Sequence, residues 1–169
     1  MKDTIKVVGV LLVGLAVALF VYPFFHETGH VIAILIVGLE IYEIKLFPSA
    51  YVVCESANVG GVENAIIGIS GMLLPLVASL LINSKNFWLW LLSFFLSGIS
   101  ALAFVLSCIA VLCYELEIVW ENEDAVKIIE QSEISSSFCL VIMLFLFCLT
   151  VLRICFNRPL QRIENYFNI

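Results

Sequence analysis

Four long apolar stretches divide the chain: Ile5 to Phe25, resuming as Val31 to Leu39; Asn64 to Ile82; Phe87 to Cys113; and Phe138 to Phe156. Each supplies the roughly 20 residues that a helix needs to cross a hydrocarbon layer of about 30 Å. The pattern predicts an α-helical integral membrane protein with about four transmembrane helices. A first helix running on to Gly38 would be about 50 Å long, so a kink, tilt or protrusion is expected, with Pro23 as its site. Between Gly38 and Gly61 the period changes. Glu40 to Leu46 alternates polar and apolar residues, Tyr51 to Cys54 is β-prone, and Pro48-Ser49 lies between them, which predicts a small β-hairpin after the first helix. An isolated ribbon is marginal in water, so it should pack on the bundle or lie along the membrane surface. Gly68, Ser70 and Gly71 give the second span small residues for close helix approach. Asn83 to Asn86 is a polar turn, and Trp88 and Trp90 suit an interfacial belt. Residues 114–137 form an acidic loop in which Asn122 to Gln131 suits a short amphipathic helix capped by Asn122. Residues 158–167 suit an interfacial helix.

Composition strengthens the membrane reading: 63% of the 169 residues are hydrophobic and 13% charged, with a mean hydropathy of +1.13. That excludes an ordinary soluble domain and leaves residues 1–169 as one membrane-embedded domain in contact with the lipid bilayer. The net charge of −6 is unevenly spread and argues against a nucleic-acid partner. Four spans place Lys2, Lys6, Lys85, Arg153, Arg158 and Arg162 on one side, against Lys45 and Lys127 on the other. By the positive-inside rule both termini are then cytoplasmic. The first apolar run lacks a small-residue cleavage site and is read as retained. Of the six cysteines, Cys108, Cys139, Cys148 and Cys155 lie within apolar runs, and no CxxC pair occurs. Cys54 and Cys113 lie near segment ends, where a meeting is open.

After Phe25 the first apolar run is interrupted by His26-Glu27-Thr28-Gly29-His30. This is an HExxH pattern: on a helix, histidines four apart share a face and converge on one metal ion, Zn²⁺ first among candidates. Glu27, between them, is placed to take a proton from an activated water. His26 and His30 are the only histidines, so the third ligand of a catalytic zinc falls to a carboxylate. The charge-derived topology puts the acidic loop on the histidines' side, offering Asp124, Glu115, Glu117, Glu121 and Glu123. An aspartate at position 124 would also suit the first turn of a short helix for capping alone.

From about residue 15 to 130 the chain resembles the membrane-embedded zinc metalloproteases of the site-2 protease type, particularly small members without a PDZ domain. The likeness rests on the HExxH residues with Ala33 and Gly38, the strand-like Leu39 to Pro48, Gly60-Gly61 leading to Ile69-Ser70-Gly71, and Asn122-Glu123-Asp124-Ala125. It implies zinc held by His26, His30 and Asp124, with Glu27 as catalytic base. The implied activity is that of a metalloendopeptidase cutting a membrane protein or peptide substrate within or beside the bilayer. It assigns no oxyanion-stabilising residue here. The hairpin at Gly38 to Gly61 is the expected holder of an extended substrate segment, or else a simple cover. The competing expectation is a noncatalytic metal-binding membrane protein that binds transmembrane partners; a transporter would need ionisable groups inside several spans.

Overall fold

The computed structural model describes residues 2–46, 50–54, 60–82, 84–118, 123–132 and 134–167. Helices α1 (Lys2–Ala16) and α2 (Tyr22–Val37) are joined without interruption by a π-helical turn over Val17–Val21. The sequence placed the irregularity at Pro23; it lies one turn earlier, for a local reason. Proline has no N–H to return to the carbonyl four residues back, and Tyr22 N–H donates five residues back, to Val17, which widens the turn. Pro23 itself occupies the tolerated first positions of α2, and Gly38 ends that helix in the left-handed conformation (φ 85°).

Strands β1 (Ile41–Lys45) and β2 (Tyr51–Cys54) form the expected antiparallel hairpin, with a bulge between Ile41 and Glu43. The turn at Pro48-Ser49 lies outside the described residues. Helix α3 (Gly61–Leu81) then leads to α4 (Phe87–Glu115), whose first amides Trp88 and Leu89 donate to the side chain of Asn86. The short amphipathic helix α5 (Asp124–Ser132) precedes α6 (Ser136–Phe156), capped by Ser135, and α7 (Pro159–Phe167).

Four helical stretches are long and apolar enough to cross a membrane: Thr4–Val37, Gly61–Leu81, Phe87–Glu115 and Ser136–Phe167. They expose large apolar side chains outward, as Leu81 (79%) and Phe145 (61%) show, which water would penalise and lipid would not. The core lies between α3, α4, α5 and α6, around Met72, Phe104, Val111, Ile128 and Met143. Helices α3 and α4 run antiparallel and are joined through buried hydroxyls: Ser93 donates to the Ser79 carbonyl (2.7 Å) and Ser97 to the Ser79 hydroxyl (3.0 Å). Helix α1 rests on the opening turns of α4, where Gly9 lies against Trp88 and Gly14 against Phe95. The tip of α1 meets α7 through Lys6, which donates to the Tyr166 carbonyl.

Candidate metal centre

Helix α3 is the element on which the site is assembled, and its glycines set how closely two neighbours approach. Gly29 of α2 faces the Ser70–Gly71 backbone so closely that an added Cβ would lie 2.8 Å from the Ser70 carbonyl carbon and 2.9 Å from Gly71 Cα. At Gly71 an added Cβ would overlap the His30 imidazole. Helix α5 docks elsewhere on α3: an added Cβ would be 2.7 Å from the Ser132 carbonyl oxygen at Gly61 and 2.5 Å from Ile128 Cγ1 at Gly68. The small-residue spacing read from the sequence therefore serves two partners, α2 and α5.

Helix α5 is oriented by its cap. Glu123 Oε2 accepts from the amides of Ala125 (2.7 Å) and Val126 (3.2 Å), while Oε1 accepts from Ser107 Oγ of α4 (2.5 Å). The far end is held by Asn64, whose Nδ2 donates to the Gln131 carbonyl at 3.2 Å. Asn122, the cap expected from the sequence, lies outside the described residues. Because Glu123 takes the capping role, the Asp124 carboxylate is free to face α2.

There it meets both histidines. Asp124 Oδ2 is 2.9 Å from His26 Nε2 and 3.4 Å from His30 Nε2, and the two Nε2 atoms are 3.1 Å apart. His30 Nδ1 lies 2.8 Å from the Ile67 carbonyl, a bond that only a protonated Nδ1 can donate, so that in the neutral ring Nε2 is the nitrogen free to ligate. Two imidazole nitrogens and a carboxylate oxygen thus face one another with no two of them more than 3.4 Å apart. Donors about 2.0–2.1 Å from a tetrahedral zinc lie roughly 3.3–3.4 Å from each other, so the triangle has the dimensions of one face of such a site. Its donor set of two imidazoles and a carboxylate is one that zinc accepts. Burial pushes the Asp124 carboxyl up, but the hydrogen bonds and charge of the two imidazoles outweigh it and hold the group well below the usual carboxylate range, ionised as a ligand must be. His26 is less firmly braced than His30: its ring stacks on Tyr22 (centroids 5.9 Å apart), and its buried Nδ1 has no hydrogen-bond partner.

The cluster opens onto a cavity of about 650 Å³, with Tyr51 to Cys54 of β2 on the facing wall. Glu27, 8% exposed, lines it beside His26 and His30. Of the remaining acids weighed as third ligand, the described ones do not join the cluster. Glu123 is the cap, Glu115 and Glu117 are exposed around the end of α4, and Glu121 lies outside the described residues. Cys54 and Cys113, whose meeting the sequence left open, are both free thiols. Sequence reasoning missed four contributors to the site: Gly71 beneath His30, the Glu123–Ser107 contact, the Tyr22 stack on His26, and Lys127 in the cavity wall. Lys127 and Tyr22 carried a local signal, each standing one helical turn from a ligand, and Gly71 had been read only as a small residue for close helix approach.

The described residues define a helical protein in which two histidines of a long apolar helix, His26 and His30, meet Asp124 of the short helix α5 in a cluster suited to a metal ion. Comparison with family models, curated proteins and solved structures returns no match. The likeness to site-2 proteases stands on the motif residues alone.

Proposed function

We propose that this chain is a membrane-embedded zinc metalloprotease of the site-2 protease type, cutting peptide bonds of membrane-embedded or membrane-proximal substrates. The observation that carries the reading is the convergence of His26, His30 and Asp124, no two ligand atoms more than 3.4 Å apart, in a cavity that Glu27 also lines. When bound there, zinc would lower the pKa of a water towards about 7 and polarise a carbonyl. Glu27 accepts the proton of the attacking water and passes it to the leaving nitrogen. The α2–α3–α5 wall fixes the reacting groups, and the β2 strand across the cavity offers backbone groups to an extended substrate segment. A substrate helix must unwind locally to enter, since its peptide bonds are otherwise satisfied within it.

The protein crosses the bilayer four times with both termini cytoplasmic, on the balance of Lys6, Lys85, Arg153, Arg158 and Arg162 at one end against Lys45 and Lys127 at the other. The test is elemental analysis of detergent-purified protein together with a peptide-cleavage assay. Wild type is expected to hold about one zinc, and His26→Ala and Asp124→Ala to lose it. Glu27→Gln is expected to keep zinc and lose cleavage. Zinc without cleavage in wild type would turn the assignment to a noncatalytic metal-binding membrane protein, and absence of zinc after reconstitution would remove the metal site.

A further inference from the structure

Lys127 is the only cationic side chain lining the cavity among the described residues, on a wall otherwise marked by the carboxylates of Glu27 and Asp124. It makes no ion pair among those residues, although Glu123, the cap of its helix, stands four before it and Glu130 three after it. Its place is set by the register of α5. Asp124, Lys127, Ile128 and Gln131 follow the i, i+3, i+4, i+7 spacing of a single helix face, and all four line the cavity. Helical side chains lean toward the N-terminus and cover the preceding turn, so the Lys127 stem runs back over the turn that begins with Asp124. The side-chain amides of Asn64 and Gln131 in that wall are uncharged donors, and Asn64 Nδ2 donates one hydrogen to the Gln131 carbonyl.

A cation placed there is suited to one step of peptide hydrolysis. As the water oxygen bonds to the carbonyl carbon, the carbon–oxygen π pair moves onto the carbonyl oxygen and the water proton moves to Glu27. Collapse returns that pair, breaks the carbon–nitrogen bond and delivers the proton from Glu27 to the departing nitrogen. Negative charge gathers on the carbonyl oxygen in between, and a preorganised donor aimed at it lowers the barrier more than it strengthens ground-state binding.

We propose that Lys127 is a catalytic residue that donates from Nζ to the substrate carbonyl oxygen as its negative charge develops. The assignment rests on the proteolytic reading above. Its test compares wild type, Lys127→Met and Lys127→Arg in full-length, zinc-loaded protein by zinc content, peptide turnover, and calorimetric affinity for a peptide phosphonamidate, a stable mimic of the tetrahedral anion. Lys127→Met is expected to keep its zinc, to lose about 100-fold in kcat with KM within about threefold, and to bind the phosphonamidate about 100-fold more weakly. Lys127→Arg is expected to recover part of both losses, because charge is restored with altered geometry. Turnover and phosphonamidate affinity both within about threefold of wild type in Lys127→Met would overturn the proposal. A wild type that holds zinc and binds the phosphonamidate but cuts no peptide would instead sink the proteolytic reading. The inhibitor affinities would then still decide whether Lys127 meets the anion, equal binding overturning it.

Discussion

The wall of the cavity formed by α2, α3 and α5 is fixed at the level of the backbone, whereas the hairpin that places β2 on the other wall is held, among the described residues, by its own ladder and a few contacts with α2. On the first, Gly29, Gly61, Gly68 and Gly71 let neighbouring atoms approach to distances that no other residue permits. Hydrogen bonds from His30 to Ile67, Ser107 to Glu123 and Asn64 to Gln131 then lock the register. On the second, Tyr42 is 64% and Ile44 49% exposed, and the side-chain hydrogen bond seen there, Tyr51 to Glu43 at 2.8 Å, stays within the hairpin. A rigid side suits groups that must hold a metal to within tenths of an ångström, and a compliant one suits a partner whose side chains vary.

Substitutions that disturb the rigid wall should therefore cost far more than those that disturb the hairpin. Gly71→Ala should have the largest effect, since its methyl group would occupy the volume of the His30 ring: zinc content measured by elemental analysis should fall to a small fraction of wild type, while Gly98→Ala, with open space around it, should leave zinc unchanged. Asp124→Asn preserves shape but removes the charge, and competition against a chelator should show zinc affinity reduced by about 100-fold or more. Glu123→Ala acts at one remove. It strips the α5 cap and leaves the Ser107 hydroxyl only the weak acceptor Met72 Sδ, for a loss of roughly 1–3 kcal/mol read as a lower unfolding midpoint and about tenfold weaker zinc binding. Tyr51→Phe should be mildest: zinc binding unchanged and KM for a peptide raised a few-fold at most. A Tyr51→Phe variant that lost zinc as completely as Gly71→Ala would show that the two walls are not independent.

Much of this contrast was legible in the sequence, to different depths. The HExxH spacing defines a helical face without any tertiary information, and the apolar runs locate the long helices because length and composition suffice for that. With both histidines used, a carboxylate was the natural third ligand, and the resemblance to site-2 proteases is what singled out Asp124 from the acids of that loop. What stayed hidden was relational. Gly60-Gly61 reads as a loop, yet Gly61 opens α3, because its neighbour there is the Ser132 carbonyl 71 residues on in the chain. Glu123 reads as one acid among several, and only the position of Ser107 on another helix reveals it as the tie that frees Asp124. Nor does a proline state on which side of itself the helix will adjust.

That adjustment sets the azimuth of the histidines. A helix advances about 100° per residue, and a π turn accommodates one residue more than an α turn, so everything beyond it is rotated by roughly that angle relative to an unbroken helix. Upstream of Val17–Val21, Gly9 and Gly14 are committed to α4; downstream, Gly29 and His30 are committed to α3. The widened turn lets one continuous rod meet both obligations, much as a phase shift lets two gratings of the same pitch be matched to different lines. Shortening the run by a single residue would leave every contact surface intact and dial the ligands away from Asp124.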